Sequence, residues 1–394
     1  MKKSGLIVLS SLMALSATVV NAQNAFGDLD QYNVVTTAVP IMLVSPDSRA
    51  GGMGDVGAAT TPDGNNIFWN PAKLAFMGPK VTTLSMSYTP WLSKLVPDIN
   101  LAYLSFQKSL GDRQGLGVSM RYFSLGDINF RDDQGNSTGT FSPYEFSLDV
   151  AYALKFSEQW SGGIALRYIY SDITQGQVVQ GLQTKPGQSV GADIAFFYKS
   201  RQISMEGGKK GTATFGLNIA NIGSKISYSE SGNSDFIPTN LKIGGGYAVQ
   251  FDKYNRIGLF LDLNKLLVPT PQIVADNGDT LGKSTDVDPL SGMIQALSPG
   301  AKPYGGKELW QEIVWNVGAE WVYNDLFMVR LGYQYENEYK GNRKYITMGA
   351  GIKYNIFALD FAYLIPATST VRSPLENTLR FTLSFDLGGM ASSE

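Results

Sequence analysis

From Tyr144 to Phe156 the side chains take turns. Tyr144, Phe146, Leu148, Val150, Tyr152, Leu154 and Phe156 fall on one face, and Glu145, Ser147, Asp149, Ala151, Ala153 and Lys155 on the other. Successive side chains of an extended strand point to opposite sides, so this pattern sets one face in an apolar medium and the other in a polar one. The alternation returns in Phe327, Val329, Leu331, Tyr333 and Tyr335 against Arg330 and Gln334, and in Leu379, Phe381, Leu383 and Phe385 against Arg380, Thr382, Ser384 and Asp386. Read along the chain, it predicts strands over 81–89, 99–108, 115–124, 144–156, 160–170, 189–200, 211–221, 239–250, 256–263, 313–323, 327–335, 344–354, 356–364 and 377–387. An even number of strands, about fourteen, each long enough to cross a bilayer, describes an all-β, antiparallel transmembrane β-barrel.

The connections give an independent sign. If the first strand leaves the periplasm, the periplasmic connections are 109–114, 157–159, 201–210, 251–255, 324–326 and 355, mostly tight and rich in Gly, Asn and Asp. The external ones are 90–98, 125–143, 171–188, 222–238, 264–312, 336–343 and 365–376, and all but 201–210 obey a short-inside, long-outside rule. A soluble β-sandwich has no such sidedness, nor so many aromatics on outward faces. At the start, Met1, Lys2 and Lys3, an apolar run from Leu6 to Leu15, and Asn21-Ala22 before Gln23 follow the order of a secretory signal. No later stretch offers the roughly 18 apolar residues of a helical span. The reading is an integral protein of the bacterial outer membrane with both ends of the mature chain periplasmic. It divides into a signal peptide over 1–22, an N-terminal plug or hatch over 23–80, the barrel over 81–387 with a long external loop at 264–312, and a tail over 388–394.

What the chain lacks narrows its chemistry. It contains no Cys and no His, which removes disulfides, thiol nucleophiles, the usual zinc ligands and the imidazole of Ser-His and Cys-His systems. No catalytic residue, metal site or cofactor is expected. Asp286 and Asp288 flank Val287 but lack a full Ca²⁺-loop signature. With 32 basic and 34 acidic residues the net charge is −2, which offers no field for nucleic acid. Charges at inward positions, among them Arg121, Glu145, Asp149, Lys155, Arg167, Asp193, Lys242, Glu320, Arg330, Lys353, Asp360, Arg380 and Asp386, fit the polar wall of a lumen, hydrated or in contact with a plug.

Between the signal and the first strand lie about sixty residues without strand alternation, more than a tail requires. Ser48-Arg49-Ala50-Gly51-Gly52-Met53-Gly54-Asp55, Asp63-Gly64 and Ile67-Phe68-Trp69-Asn70-Pro71-Ala72-Lys73-Leu74 are dense in turn-forming residues, as a compact irregular plug demands. The glycine run is not a phosphate loop, since no Lys-Ser/Thr follows it. Here the chain resembles the FadL-like outer-membrane family, whose members hold an N-terminal hatch with an Asn-Pro-Ala motif inside a fourteen-stranded barrel; Asn70-Pro71-Ala72 matches that motif. The spacing of the Ser-Arg-Ala-Gly-Gly-Met-Gly and Trp-Asn-Pro-Ala-Lys-Leu runs resembles the PorV branch, and the likeness in architecture extends over the whole mature chain.

That resemblance implies a role in type IX protein secretion. It is that of a shuttle which receives cargo bearing a C-terminal signal domain from the large translocon barrel and carries it to the PorU-containing attachment complex at the cell surface. The plug residues it singles out are Arg49, Gly54, Asn70, Pro71 and Ala72. From the sequence itself, the external loop 264–312 is too long for a simple connection and carries apolar candidates for cargo or partner contact in Leu266, Leu267, Val268, Ile273, Met293, Ile294 and Trp310. A self-packed cap over the lumen is the bland alternative for the same residues. Two other functions stay open. One is FadL-like uptake of a hydrophobic small molecule, with Gly244-Gly245-Gly246, Gly349 and Gly351 as places where a strand could bend. The other is lipopolysaccharide O-deacylation, which without His would need a Ser-Lys pair, a carboxylate base or a metal held only by oxygens. Membrane lipid or lipopolysaccharide is an expected neighbour in every case.

Overall fold

The computed structural model describes residues 33–91, 98–131, 137–176, 178–179, 182–230, 234–274, 280–299, 305–367 and 378–388. Fourteen strands make the wall: β1 (Thr82–Pro90), β2 (Ile99–Ser109), β3 (Gln114–Leu125), β4 (Tyr144–Lys155), β5 (Trp160–Asp172), β6 (Gly187–Lys199), β7 (Lys210–Gly223), β8 (Asn240–Gln250), β9 (Asn255–Leu266), β10 (Ile313–Tyr323), β11 (Phe327–Tyr335), β12 (Lys344–Tyr354), β13 (Phe357–Pro366) and β14 (Leu379–Asp386). Each pairs antiparallel with its neighbours in chain order, and β1 pairs with β14 from Thr83–Asp386 to Tyr88–Phe381, so the sheet closes without an edge. Closure matters in a bilayer, where an open edge would leave backbone groups without partners. Every expected strand is present, its ends shifted by no more than three residues.

Period two decides which way each side chain faces. Leu148, Val150 and Tyr152 of β4 are exposed on the outer wall while Ser147, Asp149, Ala151 and Ala153 are buried inside. The short-turn end is closed by tight reversals, and the exception, 201–210, folds back on itself by pairing Ile203–Ser204 with Gly211–Lys210. Between β6 and β7 the register slips: Ala192 faces Ile222, but Ile194 faces Ile219. The extra residue forms a bulge in β7 that turns Asn221, at φ +61°, into the lumen. There its backbone N–H donates to Asp193 Oδ1 at 2.8 Å and its amide to Pro238 O at 2.9 Å.

Residues 33–80 run inside this wall. Asn33 N donates to Tyr339 O at 3.1 Å and Ala38 N to Phe236 O at 2.9 Å, both acceptors in long connections, whereas Val81 accepts from Ser109 N at the opposite, short-turn end. Along the way the segment forms a 3-10 turn at Pro40–Leu43, the one-turn helices α1 (Ser48–Gly51) and α2 (Asn66–Trp69), and a second 3-10 turn at Pro71–Phe76. The apolar core therefore lies inside the barrel: Val39, Ile41 and Met42 pack on Leu101, Phe123, Ile169, Ile226 and Ile237, and Ile67, Leu74 and Ala75 on Ala151, Ala153 and Ala165. Strand β14 ends at the short-turn side. The first described residues lie at the other end, and the signal-peptide and N-terminal expectations fall on 1–32, outside the described residues, as does 389–394 of the tail. The connection 264–312 carries the helices α3 (Pro289–Leu297) and α4 (Gly305–Gln311).

Candidate functional site

Two places on the molecule bear on function: the interior, where the N-terminal segment meets the wall, and the surface of the long connection.

Inside, Asp47 starts α1 by accepting from Ala50 N at 3.0 Å, and its other oxygen takes the Trp69 indole N–H at 2.6 Å, which ties α1 to α2. Arg49, one residue into α1, is thereby aimed at β10. Its Nε and Nη2 bind the two oxygens of Glu320 at 3.0 Å each, and Nη1 binds Asp63 Oδ2 at 2.7 Å and Thr61 O at 2.9 Å. Glu320 is shared with Arg330 of β11, which reaches across β12 to Asp360. That reach needs Gly351, because a Cβ there would lie 2.3 Å from Asp360 Oδ1 and 3.0 Å from Arg330 Nη1. Gly54, at φ +71°, lets the backbone double back so close to β11 that a Cβ would sit 2.7 Å from Tyr333 N. Its N–H donates to Thr347 Oγ1 at 2.8 Å.

Asn70 ends α2 and begins the next turn. Its Oδ1 accepts from Ala72 N, and its Nδ2 donates to Ala58 O and to Phe196 O of β6, all at 3.0 Å. Pro71 occupies the first position of that turn, where a backbone N–H has no intrahelical acceptor. Ala72 is buried, and its carbonyl accepts from Ser161 Oγ of β5 at 2.8 Å. Arg49 and Gly54 thus contact β10, β11 and β12, and Asn70 and Ala72 contact β6 and β5. The sequence reading missed Asp262 of β9, which accepts from Gly57 N at 2.7 Å and Ala58 N at 2.8 Å, whereas Arg380, read as an inward charge, binds Asp55 at 2.7 Å. Asp262 sits at an inward position between Leu261 and Leu263, a signal that the period-two pattern contained.

The wall has its own charge clusters. Arg167 binds Asp149 and Asp193 on the two neighbouring strands. Arg121 lies with its guanidinium carbon 4.6 Å from the Phe68 ring and donates to Ile41 O. Lys242 stands 4.3 and 4.5 Å over the Phe68 and Trp69 rings. These are contacts of a filled interior. The amine-hydroxyl contact of Lys73 with Thr60, 2.9 Å long, has the atoms of a nucleophile and base, but both residues are sealed from solvent and Lys73 also ties off Gly57 O.

The long connection corrects part of the expected partner surface. Leu267 and Val268, expected to face a partner, are buried, because Leu267 N continues the sheet pairing to Thr239 O and draws both side chains inward. Leu266 lines a cavity of about 130 Å³ beneath the connection. The side chain of Ile273 falls outside the described residues. Met293 is half-buried, while Ile294 and Trp310 are each 68% exposed. Leu297, and Leu290 which the sequence reading did not single out, are exposed too. With Ile294 they stand at i, i+4 and i+7 of α3, one apolar stripe on the outer face of the helix. The opposite face is small, and Gly292 and Ala296 are buried, Gly292 against Phe236 and Pro269. Asp288, weighed as a cation ligand, is the N-cap of α3 and accepts from Ser291 N at 3.0 Å.

A buried ionic cluster fixes the base of this connection. Glu312 binds Lys265 and Thr270 and lies 3.6 Å from Lys340, which binds Glu308 at 2.9 Å. Burial alone would raise the Glu312 carboxyl, but Lys265, then Thr270 and Lys340, hold it below the usual carboxylate range. Glu336 takes both arms of Arg343 at 2.7 Å beside it.

The family model described as type IX secretion system protein PorV matches residues 27–273. No curated protein matches the sequence. Among solved structures, the toluene transporter TbuX of Ralstonia pickettii is similar at 14% identity with a TM-score of 0.43, over 87% of this chain and 97% of that one. The toluene transporter TodX of Pseudomonas putida is similar at 11% identity and a TM-score of 0.45, over 90% and 98%. A FadL homologue of Pseudomonas aeruginosa is similar at 10% and 0.41, over 90% and 99%.

Proposed function

Since the chain belongs to the PorV family of type IX secretion system proteins, we propose that it is a non-enzymatic outer-membrane shuttle. It takes cargo with a C-terminal signal domain from the translocon barrel and delivers it to the surface attachment complex. The observation that supports this most is the stripe of Leu290, Ile294 and Leu297 on α3, with Trp310 on α4, all exposed at the long-connection end. Interfaces concentrate their affinity in a few apolar and aromatic anchors that become fully buried, and a helix stripe packed on small residues underneath offers such anchors on a fixed support. The interior speaks for the same reading. The N-terminal segment is held by polar and ionic contacts from strands around the ring, including β2, β5, β6, β9, β10, β12 and β14, the arrangement of a plug that closes the lumen.

Replacing Leu290, Ile294 and Trp310 together with Asp tests the proposal. The barrel is expected to assemble and migrate as a heat-modifiable band, while cargo with the C-terminal signal accumulates in the periplasm. Normal secretion would sink this surface as the docking site. Altered lipopolysaccharide acylation would favour the deacylase, and lost uptake of a hydrophobic compound would favour the transporter.

A further inference from the structure

The hairpin at 201–210 breaks the length rule of the short-turn end, and its charges are as uneven as its length. Across 199–210 and the neighbouring turn 251–255 stand Lys199, Arg201, Lys209, Lys210 and Lys253, against Glu206 and Asp252. The turns at 109–114 and 155–159 are balanced, with Asp112 beside Arg113 and Glu158 offsetting Lys155. Among the described residues none of the cations on this arc forms an ion pair, and Arg201, Lys210 and Lys253 are exposed. Like charges gathered on one arc of a rim repel one another unless a counter-charge from outside meets them.

Register shows which way the arc faces. Tyr247 of β8 and Leu259 of β9 are paired and exposed on the outer wall. The next outward tier runs from Ile203 in the hairpin through Gly211 and Val249 to Ile257, and Ile203 and Ile257 are exposed. One step further out Met205 N donates to Lys209 O at 2.9 Å, which sets these two residues opposite one another on the same face. Side-chain contacts agree. Tyr247 Oη reaches Met205 Sδ at 3.7 Å by crossing Gly211, where a Cβ would lie 2.2 Å from that oxygen. Lys209 Nζ stands 5.3 Å from the centre of the exposed Phe251 ring. Ile203 and Met205 thus prolong the membrane-facing wall, and the cations begin where its apolar tiers stop.

We infer that this arc binds an acidic phospholipid of the periplasmic leaflet, its phosphate among Arg201, Lys209 and Lys253 and its acyl chains along Ile203, Met205 and Tyr247. The charge selects the headgroup, because a cluster of cations left unneutralised by the protein favours a lipid of net negative charge over a zwitterionic one. The place selects a lipid over a soluble acidic partner. Met205 and Lys209 lie on the perimeter of the barrel, in line with tiers that face hydrocarbon, whereas a soluble partner meets the end of the barrel. The inference rests on the reading of the short-turn end as periplasmic, the side on which an outer membrane carries phospholipid, and is independent of the secretion role.

The test uses the full-length protein in phosphatidylethanolamine nanodiscs doped with phosphatidylglycerol or with phosphatidylcholine, each carrying a diazirine at the same place on one acyl chain. The segments 201–210 and 251–255 should be labelled severalfold more by the acidic probe than by the zwitterionic one, and 109–114 equally by both. The excess should shrink as salt is raised, since exposed charges are screened. Arg201→Gln, Lys209→Gln and Lys253→Gln together should abolish it with the heat-modifiable band preserved, whereas Arg113→Gln should leave it intact. Equal labelling by the two probes, or an excess unchanged by the triple substitution, would overturn the site. Displacement by added polyglutamate but not by unlabelled phosphatidylglycerol would assign the arc to an acidic polypeptide and overturn the lipid. Displacement by lipopolysaccharide but not by phosphatidylglycerol would place this end outside, and the orientation of the barrel would fall with the proposal.

Discussion

Arg49 is held by Glu320 on both oxygens and by Asp63 and Thr61 on its remaining donor, so its removal leaves buried carboxylates short of a partner. Breaking a buried pair from one side costs about 3–5 kcal/mol. Arg49→Ala should therefore lower the melting temperature in detergent clearly, and Arg49→Lys should recover only part, because an ammonium cannot reproduce the paired contact to Glu320. Asn70→Ala exposes a different weakness. It removes the cap on Ala72 N and strips the donors from Ala58 O and Phe196 O, each unsatisfied group costing about 1–3 kcal/mol. Differential scanning calorimetry of both variants checks the point, and melting at the wild-type temperature would mean that the segment does not pack in the lumen. Glu312 carries a pH dependence whose sign follows from its depressed carboxyl. A carboxyl held low in the folded state contributes stability that is complete above its unfolded value, 4.5, and is lost as pH falls through the folded value. Hydrogen exchange of residues 305–313 should rise only below that pH, and in Glu312→Gln it should be raised already at neutral pH. Identical profiles for the two proteins would remove the cluster from the account.

At the scale of elements, the long connection is where reading and structure part. The strand pattern carries its own period, so each strand could be placed from its residues alone. The connection holds two kinds of apolar residue that hydropathy does not separate. Leu267 and Val268 continue the run of β9, and the backbone pairing to Thr239 takes them under cover. The stripe of Leu290, Ile294 and Leu297 is legible only once α3 is recognised, although Asp288-Pro289 before it is a helix-start signal. The bulge at Asn221 has no local signature, since a bulge is defined by its partner strand. In the interior, the Arg49 and Asn70 positions were legible as motif residues, but their partners Glu320 and Phe196 come from far along the chain and only the fold brings them together. The division inside the connection has a measurable consequence. Leu267→Asp buries a carboxylate and should lower the protease resistance of the connection, whereas Ile294→Asp, on an exposed face, should change stability by no more than about 0.5 kcal/mol. Equal sensitivity of the two variants to limited proteolysis would contradict the burial difference.

For the whole molecule, the question is whether a closed ring of fourteen strands encloses a channel or a core. A barrel of this size has room for solvent or a segment of chain, and here residues 33–80 occupy it. Their apolar clusters and buried ion pairs are matched by small or charged inward residues of the wall, Ala151, Ala153 and Ala165 on one side and Glu320, Arg330 and Arg380 on another. Within this interior Asn70 and Lys73 are fully buried and Arg49 nearly so. The proposed shuttle role sets function at the rim, where the long connections carry exposed apolar residues and the short turns do not carry a comparable helix stripe among the described residues. The expected outcome in planar lipid bilayers is an electrically silent wild-type protein. Deleting 33–80 should produce steady, ohmic conductance, because the ring closes through strand pairing that does not involve the segment. Arg49→Ala together with Asn70→Ala should produce brief openings, since the segment keeps its apolar contacts but loses two of its polar anchors. A wild-type barrel that conducts steadily would return the function to the lumen and make transport the better reading.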